Sequence, residues 1–248
     1  MSTASEHYEN LLAHHYFWMF NQSFEEKVAE QRKILDEVLP GQETAERGFA
    51  IDLGAGPGFQ SIALAELGFS RILAVDTSEI LLKELETHRK SRPVQTLNAD
   101  IRDLKNIATP GQANVILCMG DTLTHLPSKA DVDQLFLCAY DVLTPGGSLV
   151  LTFRDLTTDL HGLDRFLPIR SETDKIMTCF LEFESPDSVR VHDLIHVLGP
   201  TGWKLEKSSY AKLRLSPAWV TQHLLDAGFS ISAQKAAGRL QLIAAKKP

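Results

Sequence analysis

Residues 50–58 read AIDLGAGPG, a short apolar run, an acid, then glycines at Gly54, Gly56 and Gly58. Glycines where a strand turns into a helix let a ligand lie against bare backbone, and the free N–H groups opening the helix favour electron-rich ligand atoms. Two ligand chemistries use such a loop, a dinucleotide and S-adenosylmethionine. The dinucleotide fingerprint is GxGxxG, whose third glycine would fall on Phe59; the spacing here is GxGxG. Asp76 closes the next apolar run, RILAVD, 20 residues past Gly56. A carboxylate there accepts hydrogen bonds from the ribose hydroxyls of either ligand. Asp100, in LNADIRDL, closes a third run, where an acid can accept from an adenine amino group while Ile101 packs on the ring. Each acid also has a purely structural reading, Asp76 as a cap partner near Ser78 and Asp100 as a turn cap. Asp52, inside the first run, costs free energy unless it is paired or faces a ligand.

Carboxylates of this kind reach one ligand only if successive strands end on the same edge. The pattern supplies that. From Gly48 the chain alternates strand and helix: FAIDL, then the helix FQSIALAEL stopped by Gly68; RILAVD, then a helix capped by Ser78 with Leu81, Leu82 and Leu85 on one stripe; VQTLNAD; NVILCMG. Ser128 and Asp131 give a capping-box-like start to a helix through Leu143, and SLVLTF follows the turn Thr144–Gly147. Alternation of this type predicts a parallel sheet covered on both faces. Upstream, Glu6–Leu39 is helical in pattern, ended by Pro40-Gly41 and followed by a polar stretch from Gln42 to Arg47. Downstream, residues 174–215 alternate with period two in KIMTCFLEF, SVRVHDLIHVL and WKLEKSSYAKLRL, separated by the turns ESPDS and GPTG, which predicts an antiparallel β insertion. Ser216-Pro217 opens a helix stopped by Gly228, and FSISAQKA, a Gly238 turn and LQLIAAK form a terminal hairpin.

Composition narrows the function classes. A formal net charge of −7 opposes sequence-independent nucleic-acid binding, which relies on clustered Lys and Arg. Cys118, Cys138 and Cys179 are widely spaced, with no CxxC pair, and read as small core residues in a reducing compartment. No run approaches the roughly 18 apolar residues that span a bilayer, and MSTASEHYEN lacks the charge-then-apolar order of a secretory signal, so a cytoplasmic protein without membrane or nucleic-acid partners is expected. His192 and His196 share a strand face but lack a third ligand at a recognisable spacing, so no metal is assigned.

Taken in order, AIDLGAGPG, Asp76, NADI, VILCMGDTLTHL and LTPGGSLVLTF resemble the successive motifs of the class I S-adenosylmethionine-dependent methyltransferases over residues 48–155, with the last helix and hairpin completing the likeness. The resemblance implies a Rossmann-like, doubly wound α/β fold with a seven-stranded sheet whose last strand is antiparallel. It implies an N-terminal helical lid (1–47), a cofactor-binding core (48–155), a β insertion over the acceptor site (156–215), and a last helix and hairpin (216–248). The cofactor would be S-adenosylmethionine, with S-adenosylhomocysteine as product. Gly54, Ala55 and Gly56 would meet its methionine part, with Asp52 close by; Asp76 and Thr77 its ribose; Asp100 and Ile101 its adenine. Met119 and Gly120, in the segment Cys118–Thr122, would line it near the methyl group. The lid aromatics Tyr16 and Trp18, near Tyr8, His14 and His15, can stack on a sulfonium by cation–π attraction.

The acceptor is expected to be a small molecule with a nucleophilic N, O or S, because MGDTLTHL replaces the Asn/Asp-Pro-Pro-aromatic motif of enzymes that act on amide or base nitrogens. His125 is the candidate base, with Arg154 and Asp155 at the end of the fifth strand able to orient the acceptor or to pair with each other. Arg165, Arg170 and Tyr210 are further candidates. The alternatives are a nicotinamide-dependent oxidoreductase, an aminopropyl transferase and a non-catalytic S-adenosylmethionine-binding protein.

Overall fold

The computed structural model describes residues 3–39 and 47–248. The expected Pro40-Gly41 helix stop and the polar connector to residue 46 lie outside them. The N-terminal helical region is divided by its own caps. Helix α1 (Ala4–Asn10) starts at Thr3 and α3 (Phe24–Val38) at Ser23, each closed by a reciprocal capping box with Glu6 and Glu26. Between them lie a 3₁₀ turn, Leu12–His15, and the short helix α2 (Tyr16–Met19).

The core then alternates as expected: β1 (Arg47–Leu53), α4 (Phe59–Glu66), β2 (Phe69–Asp76), α5 (Glu79–Arg89), β3 (Val94–Asn98), α6 (Leu104–Ile107), β4 (Ala113–Cys118), α7 (Lys129–Val142) and β5 (Leu143–Phe153). Ser78 and Ser128 cap α5 and α7 through the N–H groups of Leu81 and Asp131. After the insertion come α8 (Pro217–Asp226), capped by Ser216, and two strands, Ser230–Ala237 and Leu240–Lys246.

The insertion holds four strands, one more than expected: β6 (Phe166–Ser171), β7 (Lys175–Phe183), β8 (Ser188–Gly199) and β9 (Gly202–Leu213). With these labelled, the two terminal strands are β10 and β11. The sequence of β6, FLPIRS, carries Pro168 and no alternation, which hid it. The structure places it on a sheet edge with a register shift between Pro168 and Arg170, where a missing N–H is tolerated.

The main sheet runs β10-β11-β5-β4-β1-β2-β3, and the insertion forms a separate antiparallel sheet in the order β6-β7-β8-β9. Strands β1 to β5 are parallel and β11 is antiparallel to both its neighbours. This is the expected Rossmann-like, doubly wound seven-stranded fold. Both faces are covered. Phe136, Val220 and Leu224 from α7 and α8 pack on one, and Leu35, Ile62, Leu64 and Leu85 from α3, α4 and α5 on the other. Chain order reverses between β1 and β4, and at such a switch point the loops leaving two adjacent strands diverge and open a crevice beyond their C-terminal ends.

Candidate active site

The glycine loop lies in that crevice. Gly54, Gly56 and Gly58 all take the left-handed conformation, with φ of 71°, 52° and 93°. At Gly58 a Cβ would lie 2.1 Å from Cδ1 of Leu85, and at Gly54 2.3 Å from Cγ2 of Thr122, so close packing needs glycine at both. Gly56 differs, since its nearest neighbour would be Leu81 Cδ1 at 3.9 Å. Gly120 across the crevice is as open, with Gln60 Nε2 at 4.0 Å. These two bare positions face a cavity of about 700 Å³.

At one end of the cavity the wall is made by Gly54, Ala55 and Gly56 with Asp76 and Thr77. Asp100, Ile101, Met119 and Gly120 complete that end. The Asp76 carboxylate accepts from the Gly56 N–H at 2.7 Å and the Ser78 N–H at 2.8 Å, so it ties the loop to the start of α5 and keeps lone pairs for a ligand. Burial pushes its carboxyl above the usual range against those bonds. Asp100 caps the turn at Arg102 while lining the cavity, and the Arg102 guanidinium holds its carboxyl below the usual range. Each acid therefore has the structural role foreseen for it and faces the cavity as well.

Three expected site residues sit elsewhere. Asp52 is 1% exposed and lies beneath the loop, where it accepts from the Ser61 hydroxyl at 2.6 Å. It is paired, not ligand-facing. Trp18 points to the insertion and donates from Nε1 to Glu172 at 2.9 Å. Asp155 is exposed and accepts from the N–H and hydroxyl of Thr157 at 3.0 and 2.6 Å. The suggested Arg154–Asp155 pair does not form. Arg154 turns inward, its Nε 3.6 Å from Asp121. Arg170 donates to the carbonyls of Trp18 and Phe20, and Arg165 to the carbonyl of Gly162. Among the described residues no group of three metal-type side chains comes together, and His192 pairs with Glu182.

The other end of the cavity is aromatic and apolar. Tyr8, Tyr16, His125 and Tyr210 line it. The ring of Tyr8 meets His125 edge-on at 5.6 Å and Tyr16 at 6.1 Å, and His125 lies 5.4 Å from Tyr210. His125 Nε2 is buried without a hydrogen-bond partner among the described residues. Burial, with Lys212 nearby, lowers the His125 pKa to about 3, so the ring stays neutral; Asp121 opposes and His7 assists the shift. A neutral imidazole of this kind accepts a hydrogen bond and is a weaker base than a free one. Asp121, at φ 84°, is held by Lys212 at 2.5 Å and by the Arg154 N–H at 2.8 Å. Burial, the largest influence, would raise its carboxyl, but Lys212, His125 and the Arg154 N–H together bring the net shift downward.

Sequence reasoning missed His7, Asp193 and Lys212. The His7 ring, 0% exposed, places Nε2 2.9 Å from Asp193 Oδ2 and stacks on Tyr210 at 4.3 Å. The signal for Asp193 was present, because Val189, Val191 and Ile195 share its period-two face and all are buried. An acid on that face demands a partner.

Residues 50–147 match the protein family described as a methyltransferase domain. Over those residues the chain is similar to a methyltransferase domain. A glycine/sarcosine N-methyltransferase of Halorhodospira halochloris is 35% identical over 127 residues, which is 50% of this chain and 47% of that protein. The chain thus matches about half the length of that relative. Two solved structures share the fold over nearly the whole chain. The CcbJ methyltransferase of Streptomyces caelestis has a TM-score of 0.75 at 18% identity, covering 97% of each chain. An amino pentose methyltransferase of Micromonospora echinaspora, solved with S-adenosylmethionine bound, has a TM-score of 0.72 at 15% identity, covering 96% of this chain and 97% of that one. Given this similarity, the dinucleotide alternative has no support.

Proposed function

We propose that this protein transfers the methyl group of S-adenosylmethionine to a nucleophilic nitrogen of a small molecule. One observation carries the reading. A single cavity runs from the glycine loop and two strand-end acids to a second wall built by the insertion and α1, so a cofactor and an acceptor can share it. The residues suit this cofactor: the bare backbone at Gly56 and Gly120 leaves room, Asp76 would hold the ribose hydroxyls, and Asp100 with Ile101 the adenine. When bound, S-adenosylmethionine supplies a methyl group already activated on a sulfonium. The chain's part is to position the acceptor and exclude water, and well-held reactants gain roughly 7–11 kcal/mol from proximity. His125 Nε2, unpartnered, accepts an N–H and so points the nitrogen lone pair. A relative named for N-methylation of glycine and sarcosine favours nitrogen as the acceptor atom.

The domain division follows the same reading, with residues 1–47 as a lid, 48–155 and 216–248 as the cofactor-binding core, and 156–215 covering the acceptor. The charge of −7 argues against nucleic acid, and no helix among the described residues is long and apolar enough to cross a membrane. Three buried free thiols suit a reducing cytoplasm. Thermal unfolding with S-adenosylhomocysteine and with NADH tests the proposal, since a ligand at 100 times its Kd stabilises by about 2.7 kcal/mol. Stabilisation by S-adenosylhomocysteine alone is expected. Stabilisation by NADH alone refutes it.

A further inference from the structure

The half of the cavity away from the glycine loop has a chemistry of its own. Its wall is mostly hydrocarbon, with Cys179 and Asp193 set in it. Met177, Leu181 and Val191, from β7 and β8, are at most 5% exposed, and Leu167 on β6 closes the rim. Its inner end is the ring cluster of Tyr8, His125 and Tyr210, whose centroids lie 5.4–6.5 Å apart. His125 stands five residues beyond Gly120 on the turn leaving β4, so the cluster adjoins the cofactor end. The cations on this side are Lys212 and Arg154, and both lean on Asp121, at 2.5 and 3.6 Å. A carboxylate-bearing acceptor as small as glycine would compete with Asp121 for those cations and leave the hydrocarbon wall facing water.

Building on the methyl-transfer reading, we propose that this half is a binding site for an amine with a hydrocarbon body, its nitrogen between Tyr8, Tyr210 and Nε2 of His125 and its body on the wall of Leu167, Met177, Leu181 and Val191. Nitrogen suits the cluster better than oxygen. The amine nitrogen uses its lone pair to form the new N–C bond; the C–S bond breaks and its electron pair stays on sulfur. Positive charge passes from sulfur to nitrogen, and ring faces attract cations at both positions. An alkylamine leaves its proton in water before it enters as the neutral nucleophile, and the product departs as the methylated ammonium. An alcohol would have to lose its proton in place, and the buried neutral imidazole is a poor base for that.

The test uses the full chain saturated with S-adenosylhomocysteine. Calorimetric titration with n-alkylamines from ethylamine to hexylamine, with benzylamine, and with glycine and sarcosine reads affinity. S-adenosylhomocysteine release from S-adenosylmethionine reads turnover on the same compounds. Each methylene buried on the wall is worth about fourfold in Kd, so affinity rises steeply along the alkyl series. Hexylamine and benzylamine are methylated with higher kcat/KM than glycine or sarcosine. Leu167→Gln weakens hexylamine binding about fourfold, and Leu181→Phe, which fills the wall, weakens hexylamine but spares ethylamine. Unchanged affinity for S-adenosylhomocysteine shows that each variant is folded. A flat alkyl series, no effect of either folded variant, or preferred methylation of glycine or sarcosine overturns the inference and leaves the methyl-transfer reading standing. Absence of S-adenosylhomocysteine binding to the unmodified chain removes that reading and the inference with it.

Discussion

Replacing Asp52 with Asn should make the protein more stable above neutral pH. Asp52 is 1% exposed, and its carboxyl accepts from the Ser61 hydroxyl at 2.6 Å. Burial raises its pKa to about 7, against the opposing pull of Ser61. In the unfolded chain an Asp titrates near 3.9, so the shift is about 3 units, or about 4 kcal/mol. The unfolded chain releases this proton near pH 4 and the folded chain holds it to about pH 7. Between those values the folded state binds more protons, and stability falls as pH rises. The contribution is full below pH 4 and lost above pH 7. An Asn is neutral throughout, and its amide oxygen still accepts from Ser61. The variant should therefore match the parent near pH 4, exceed it by about 1.5 kcal/mol at pH 5 and by up to about 4 kcal/mol at pH 8, a large share of the roughly 5–15 kcal/mol that holds a domain. Urea unfolding of both chains from pH 5 to 8.5 reads the difference, in which the titrations they share cancel. Parallel pH profiles would falsify the assignment of a buried, mostly protonated Asp52.

Gly58→Ala should cost about 1–3 kcal/mol and lower the Tm by several degrees, because the new Cβ meets Leu85 at 2.1 Å at a φ of 93°; calorimetry checks it. Asp76→Ala should weaken S-adenosylhomocysteine binding by about 10²-fold through lost charge-assisted bonds to hydroxyls, measured by titration calorimetry; unchanged affinity would move the ribose elsewhere. His125→Phe keeps the edge contact with Tyr8 but removes the acceptor, and kcat/KM should fall by about tenfold, the worth of one orienting hydrogen bond. With its pKa lowered to about 3, His125 of the unmodified chain is neutral from pH 5 to 8, so its protonation should put no acidic limb on the pH–rate profile in that range. Asp193→Asn weakens the bond that holds α1 to β8 through His7, at about 1–3 kcal/mol, and should speed amide exchange in α1 before the rest of the core.

The parts written in local code were legible. Ser78, Ser128 and Ser216 cap the helices they precede, and Gly68 and Gly228 stop theirs. The spacing from Gly56 to Asp76 marks a strand end that the fold brings back to the loop at 2.7 Å. Contacts made across the chain were not legible. The sequence neighbours of Trp18 point it at the cofactor, yet Glu172 on the insertion claims its N–H. His7 and Asp193 lie 186 residues apart, and no local pattern joins them. Arg154 and Asp155 are adjacent in sequence, but successive side chains of extended backbone point to opposite sides, so adjacency worked against the pairing.

Two of the three cysteines give the molecule a built-in clock. Cys179 lines the cavity beneath α1, with its thiol pushed up to about 12 by burial, so it reacts slowly with a thiol reagent while the wall is closed and faster when the wall parts. Cys118, 0% exposed on the central strand β4, is freed only when the sheet itself comes undone. Labelling at Cys179 therefore counts openings of the acceptor half, and labelling at Cys118 counts whole-domain unfolding. A bound acceptor slows the first rate by occupying the wall. The spread between the two rates measures how independently the cap breathes.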